Sequence, residues 1–185
     1  FVIELDVNCM KFLAAIKDIC IEAYESREEG KLYYGSIAVP QAIKDGREPL
    51  VCNENLTRLR FVPQNGGTET WFLNFGAHPN TLGGSNSKVS ADYPYFIREK
   101  INETVKTNVL FGVNAIAGVN AGGEMEDRFE RTKYAGEERA KAAFEIENDK
   151  QLSPEITVLQ QPYYTPIDNA VLSLMVIIKV CSSMR

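Results

Sequence analysis

A strand, a helix and a second strand in succession constrain the fold of this chain more than any other feature. Glu69–Phe75 (ETWFLNF) has strand composition, Tyr93–Val105 has helical periodicity, and Asn108–Ala117 (NVLFGVNAIA) is an apolar strand. This order predicts a parallel crossover, and the last strand is typical of a sheet centre covered on both faces. Ligands bind beyond the carboxyl ends of strands in such sheets, so the loops Gly76–Asp92 and Gly118–Glu124 should face one crevice.

The rest of the chain also alternates between strand-like and helical segments. The predicted elements are a strand at Phe1–Val7, a helix from Asn8 to near Gly30, a strand at Lys31–Val39, a strand at Leu56–Val62 that forms a hairpin with Glu69–Phe75, a helix at Arg128–Asp149, a strand at Glu155–Gln160 and a final helix capped by Asp168 or Asn169. The sequence therefore predicts one α/β domain over residues 1–185. Its expected architecture is a mixed, mostly parallel sheet with a β-hairpin insertion and flanking helices.

Composition excludes some classes of partner. The net charge of −5 and the pI of about 5.1 weigh against a nucleic-acid partner, because proteins that bind nucleic acids usually have a basic surface patch. The longest apolar run, Ala170–Val180, is shorter than the roughly 20 residues that span a bilayer, so no transmembrane segment is expected. The four cysteines form no CxxC pair and are interpreted as reduced thiols, which favours a cytoplasmic over a secreted location.

The loop after the first strand of the crossover carries the best candidate site residues. It holds His78, the only histidine of the chain, together with Asn80, Ser90 and Asp92. Imidazole and carboxylate are both zinc ligands, so a metal site is one interpretation. The alternatives are that His78 only bonds to backbone and that Asp92 only caps the helix that begins at Tyr93.

The second loop is rich in glycine at Gly118, Gly122 and Gly123 but lacks the spacing of a phosphate-binding loop. It is either a tight strand-to-helix connection or a set of backbone N–H groups directed at an oxyanion. A single histidine permits no assignment of a Ser-His-Asp triad, and no HExxH motif is present.

Beyond these general features, two segments resemble one known family. The run NFGAHPNTLGGSNSKVSADYPYFIREKI is similar to the central signature of the neutral/alkaline (non-lysosomal) ceramidases and their bacterial relatives: a strand, His-Pro, a polar loop, Ser-x-Asp and a helix. FGVNAIAGVNAGG resembles a later segment of that family. The resemblance implies the central part of a ceramidase-like catalytic domain, Zn²⁺ as cofactor, and hydrolysis of the amide of a small-molecule or lipid-amide substrate.

The resemblance also implies roles for individual residues. His78 matches a zinc ligand, Asp92 matches the aspartate of Ser-x-Asp, and Asn120 aligns with the nucleophilic serine. Asparagine cannot attack as an alkoxide, although its amide can donate a hydrogen bond to an oxyanion. We therefore expect Asn120 and Asp92 at catalytic positions, Asn80, Ser90 and Gly118 at substrate-binding positions, and His78 at a metal.

The chain departs from the family at its first helix. Family members carry a Thr-His-Thr-His-type segment that supplies another zinc histidine, whereas here Asn8–Lys11 runs directly into a helix. Further family ligands lie in a later segment that this sequence does not show, so the ligand set is incomplete. Three hypotheses follow: a metal-dependent hydrolase of linear amides completed by residues elsewhere or by a partner copy in a homo-oligomer, a non-catalytic relative that keeps the polar crevice, or a part of a longer active protein.

Overall fold

The computed structural model describes residues 7–49, 51–116, 118–122, 125–164, 170–171 and 174. Its elements are α1 (Val7–Glu25), β1 (Gly30–Ala38), a 3₁₀ turn (Pro40–Ala42), β2 (Ile43–Asp45), β3 (Asn55–Pro63), β4 (Thr70–Phe75), α2 (Tyr93–Thr104), β5 (Asn108–Val113), β6 (Val119–Ala121), α3 (Arg128–Phe144) and β7 (Lys150–Gln151). All of them lie in the first of two compact units, residues 1–154, and the second unit covers residues 155–185.

Three predictions concern the ends of the chain. The strand expected at Glu155–Gln160 is wrong, because this segment has no regular secondary structure. The strand expected at Phe1–Val7 lies outside the described residues except for Val7, which begins α1. The caps proposed at Asp168 and Asn169 also lie outside them.

The main sheet has five strands in the order β5-β4-β3-β1-β7, and β2 pairs with β6 in a separate two-stranded sheet. The mixed α/β class is confirmed, and so is the parallel crossover from β4 to β5 through α2. The predicted antiparallel hairpin of β3 and β4 is also confirmed. The expectation of a mostly parallel sheet is wrong, since β1–β3 and β1–β7 are antiparallel as well. The short turn after Pro63 permits only an antiparallel hairpin, and α2 is the one crossover helix between paired strands of the described sheet.

The strand predicted for the sheet centre lies at an edge instead. β5 ends at Val113 rather than at Ala117, and among the described residues it pairs with β4 alone. Val109 is buried, whereas Leu110 on the opposite face is 56% exposed. Composition alone did not reveal this position, because an apolar strand can be covered on one face only.

The core lies between one face of the sheet and the helices α2 and α3. Alternate residues of β4, Trp71, Leu73 and Phe75, point into it because side chains of a strand alternate between faces. Gly136 on α3 allows close approach to α2, since a Cβ atom there would lie 2.6 Å from the Tyr93 carbonyl oxygen. The two helices therefore contact each other as well as the sheet.

A buried ion-pair network holds the end of α3 on the sheet. Arg58 donates from Nη1 to the Ala143 carbonyl at 2.6 Å and from Nη2 to the Ile146 carbonyl at 2.9 Å and to Asp149 Oδ2 at 3.0 Å. The same carboxylate oxygen accepts from Arg60 Nε at 2.9 Å. The guanidinium thus supplies donors to carbonyls that a helix end leaves unpaired.

The structure corrects the predicted ends of two helices. The helix α3 was expected to continue to Asp149 but ends at Phe144, next to the Ala143 carbonyl that accepts from Arg58. The first helix was likewise predicted too long, since α1 ends at Glu25 rather than near Gly30.

We predict that Asp149→Ala lowers the free energy of unfolding by about 3 kcal/mol, because two guanidinium groups lose their shared carboxylate in a largely buried setting. Urea denaturation measures the change. Glu103→Ala breaks the exposed pair with Lys100 and serves as the control, with an expected loss below about 0.5 kcal/mol. Equal losses in the two variants would contradict the role of the network.

Candidate functional site

The loops that follow β4 and β5 meet, as the topology predicted. The His78 backbone N–H donates to the Val119 carbonyl at 3.1 Å, and His78 and Asn120 form a parallel β-bridge. The side chains also meet, because Asn80 Nδ2 donates to Asn120 Oδ1 at 3.2 Å. The structure therefore brings together three residues that sequence reasoning placed at the site.

A cavity of about 580 Å³ opens beside this contact. Its lining combines two cationic groups, one carboxylate, neutral polar groups and two apolar side chains: Lys44, Arg131, Glu126, Asn80, Thr81, Asn120, Ala121 and Met125. Such a mixture suits a ligand that has both polar and apolar parts.

Sequence reasoning missed the basic groups of this cavity. Lys44 lies opposite Asn120 in the register of β2 and β6, although the sequence around it reads as a polar connection. Arg131 comes from the first turn of α3 and donates through Nη2 to the Thr81 carbonyl. The strands β2 and β6 have three residues each, too few to show a periodicity, so nothing in the sequence indicated Lys44. For Arg131, the one indication was its position in the first turn of a predicted helix.

The Asn120 carboxamide is engaged on both sides. Its Oδ1 accepts from Asn80, and its Nδ2 donates to the Gly118 carbonyl at 3.3 Å. That carbonyl also accepts from the Gly46 N–H at 3.1 Å. In the described hydrogen bonds Gly118 therefore acts as an acceptor at the crevice, and the second N–H of Asn120 remains the group suited to a ligand oxygen.

The Asp92 carboxylate is buried and caps α2, so the capping role considered for it is confirmed. Its Oδ1 accepts from the Tyr93 N–H at 2.8 Å and from Thr81 Oγ1 at 2.6 Å, and its Oδ2 accepts from the Leu82 N–H at 3.1 Å. Ser90 Oγ accepts from the Asp92 N–H at 2.9 Å. Asp92 has a φ of 54°, an unfavourable conformation for a residue with a Cβ, which these bonds stabilise.

Thr81 ties the same loop to α3. Its hydroxyl lies 2.6 Å from Thr132 Oγ1 and has a single proton. That proton is donated to Asp92 Oδ1, because a carboxylate can only accept. Thr81 therefore accepts from Thr132, whose own proton divides between Thr81 and the Arg128 carbonyl at 2.7 Å. The segment from His78 to Asp92 is thus attached to both helices at one residue.

Tyr93 supports the backbone next to His78. Its Oη donates to the Ala77 carbonyl at 2.6 Å, and its ring is fully buried. Burial raises the pKa of Tyr93 to about 12; the nearby Arg139 charge opposes this effect and the Asp92 charge adds to it. The phenol is therefore a proton donor in a hydrogen bond at neutral pH rather than an acid that exchanges protons.

Arg139 lies fully buried beneath the site. It donates through Nη1 to the Ala135 carbonyl at 2.6 Å and through Nη2 to the Ala42 carbonyl. Its guanidinium carbon lies 4.5 Å from the centre of the Tyr93 ring and 4.7 Å from that of Phe75. Burial lowers the pKa of Arg139 to about 10, so the group is charged at neutral pH.

The described residues do not by themselves fit a zinc ion. Nowhere in the part of the chain that the structure describes do three His, Cys, Asp or Glu side chains form a group that could hold a metal. His78 is half-buried at the crevice, while the Asp92 oxygens are already occupied by hydrogen bonds. A catalytic zinc usually has three protein ligands.

The solved structures that share this fold include two ceramidases. A neutral ceramidase from Pseudomonas aeruginosa matches with a TM-score of 0.59 and 18% sequence identity, covering 68% of this chain and 24% of that chain. A structure described as ceramidase complexed with C2 matches with a TM-score of 0.59 and 17% identity, covering 68% of this chain and 23% of that chain. The chain thus spans about a quarter of the length of these ceramidases, and at this identity the likeness shows the fold.

The other comparisons add nothing to this likeness. No family model matches the chain, and no curated protein matches it. Among the described residues, no helix is both long and apolar enough to cross a membrane.

We predict that Tyr93→Phe lowers the free energy of unfolding by about 1–2 kcal/mol at neutral pH, because the Ala77 carbonyl loses its buried donor. The exposed Tyr95→Phe serves as the control, with a change below about 0.5 kcal/mol.

The wild type and Tyr93→Phe should also differ in how the free energy of unfolding depends on pH. The pKa of Tyr93 rises from 10.0 to about 12 on folding, so between these values the unfolded state has lost a proton that the folded state keeps. Wild-type stability should fall there by up to about 1.4 kcal/mol per pH unit, a slope that Tyr93→Phe lacks. The difference between the two proteins should therefore shrink as the pH rises, and a constant difference would contradict the prediction.

Proposed function

We propose that the crevice between the loops after β4 and β5 binds an N-acyl amide, and that the chain is a divergent or partial relative of zinc-dependent amide hydrolases of the ceramidase type. The observation that carries the proposal is the Asn80–Asn120 pair at the cavity, in a fold shared with solved ceramidases. The proposal includes the roles expected from the resemblance: Asn120 and Asp92 at catalytic positions, Asn80, Ser90 and Gly118 at substrate-binding positions, and His78 at a metal.

The chemistry of the pair matches a secondary amide. Such a ligand presents one N–H donor and one carbonyl acceptor, and the pair presents the Oδ1 acceptor of Asn80 beside the second N–H of Asn120. Ala121 and Met125 provide apolar contact next to these groups, and methionine adapts to a flexible acyl chain. The ligand amide would therefore bind at the two asparagines and its hydrocarbon at Met125.

Hydrolysis of an amide requires catalytic groups in addition to those that bind it. An amide carbonyl needs an activated nucleophile and a donor to its developing oxyanion. Asn120 suits the donor role, and Asp92 holds the loop through its hydrogen bonds. The described residues include no group of three His, Cys, Asp or Glu side chains that could hold a metal, so a hydrolase would take further zinc ligands from other parts of a longer chain or from a partner copy.

The second candidate is a relative that binds amides without cleaving them. The observation in its favour is asparagine at position 120, where the family resemblance places a serine nucleophile. Release of free fatty acid from an N-acyl sphingoid base by the purified wild-type chain would exclude this candidate. Activity gained only in Asn120→Ser would support it.

We predict that Asn80→Ala and Asn120→Ala each raise the dissociation constant for an N-acetyl sphingoid base about tenfold, since each removes one hydrogen bond to the ligand amide. Isothermal titration calorimetry on the wild type and both variants measures the effect. Asn86→Ala is the matched control, because the Asn86 side chain bonds to the Lys88 backbone within its own loop. Unchanged affinity in both test variants would place the ligand elsewhere.

We predict that His78→Ala reduces the zinc content of the purified protein if this residue is a metal ligand, measured by elemental analysis after dialysis against zinc. Asn86→Ala should retain the wild-type zinc content. Equal zinc content in His78→Ala and wild type would remove the metal role of His78, and it would leave amide binding by the asparagines intact.

A further inference from the structure

The cavity beside the Asn80–Asn120 pair has an excess of positive charge that binding of an amide does not use. Its described lining includes two cations, Lys44 and Arg131, against one carboxylate, that of Glu126. The excess is local, because the whole chain has a net charge of −5. A cationic cavity on an acidic chain favours a ligand that carries a negative charge.

The first cation, Lys44, lies directly beside Asn120. The two residues are partners in the antiparallel register of β2 and β6, and both line the cavity. Residues directly opposite each other in an antiparallel pair share one face of the sheet, with Cβ atoms about 4.5–5.5 Å apart. The Lys44 ammonium is therefore within reach of a group that is bound next to the Asn120 carboxamide.

The second cation, Arg131, lies beside the other asparagine of the pair. Its Nη2 donates to the carbonyl of Thr81, the residue after Asn80, and this bond holds the guanidinium at the cavity. Within the described residues its Nε has no hydrogen-bond partner, and the guanidinium forms no ion pair with Glu126 or another carboxylate. A guanidinium that is held in place and retains N–H donors is well suited to bind a ligand carboxylate.

Given the amide binding proposed above, on which this inference rests, we propose that the ligand is an N-acyl amino acid whose carboxylate binds at Lys44 and Arg131. In such a molecule the carboxylate is attached to the carbon next to the amide nitrogen, so it reaches the cations that flank the two asparagines. The acyl chain remains at Met125. A neutral N-acyl amino alcohol would displace water from both cations without offering them a matching charge, which is unfavourable.

Isothermal titration calorimetry with N-octanoylglycine and N-octanoylethanolamine tests the proposal, since these ligands share the acyl chain and the amide and differ in the carboxylate. The wild type should bind the glycine conjugate at least about tenfold more tightly. Lys44→Met and Arg131→Met should each weaken its binding about tenfold and leave the ethanolamine conjugate unaffected, whereas Glu126→Gln should strengthen it. Lys133→Met is the matched control, because Lys133 is exposed on α3 at a different cavity and its loss changes the net charge equally.

The outcomes separate the carboxylate from the amide. Equal affinity of the wild type for both ligands would overturn the carboxylate site and leave amide binding standing, and binding of neither ligand would overturn both proposals. A preference for the glycine conjugate that persists in both Lys44→Met and Arg131→Met would also overturn the carboxylate site. Arg131→Lys keeps the charge and should retain the preference, which distinguishes the charge from the contact with Thr81. Circular dichroism checks that each variant is folded.

Discussion

The fold depends on one buried cation, Arg139. Its guanidinium donates to Ala135 of its own helix and to Ala42 of the 3₁₀ turn, and it lies between the rings of Phe75 and Tyr93. The end of β4, the start of α2, the middle of α3 and the approach to β2 therefore converge on one side chain. No carboxylate within the described residues lies at ion-pair distance from it, so hydrogen bonds and ring faces offset the desolvation of the charge.

The geometry of the candidate site depends on the contacts of Arg139 with Tyr93. Tyr93, held against Arg139, donates to Ala77 and so positions the backbone that enters His78. Asp92, the residue before Tyr93 and the N-cap of α2, holds the loop through its hydrogen bond with Thr81. The crevice is thus formed by groups that the core already orders, and binding a ligand there would require little further ordering.

Sequence reasoning recovered the crossover, the hairpin and the helices α2 and α3, and it missed most of the other strand pairings. The crossover from β4 through α2 to β5 follows from periodicity, the hairpin of β3 and β4 from its turn residues, and the meeting of two loops from topology. The order of the remaining strands depends on sheet edges that an apolar pattern does not distinguish, as β5 shows. Arg139 lies in the charged run RFERTKYAGEERAKAAF, where an arginine is expected to be exposed, and only the neighbouring small residues suggested a packed face.

The backbone at Asp92 supports the proposed binding site independently of the resemblance. A φ of 54° at a residue with a Cβ is unfavourable by about 1–3 kcal/mol, and such conformations concentrate at ligand-binding loops. A plain N-cap does not require it, since Asp127 caps α3 with a φ of −72°. At Asp92 one carboxylate reaches Thr81, Leu82 and Tyr93 together, which fixes the loop beside Asn80. A preformed binding loop, as we propose for this crevice, would account for this geometry.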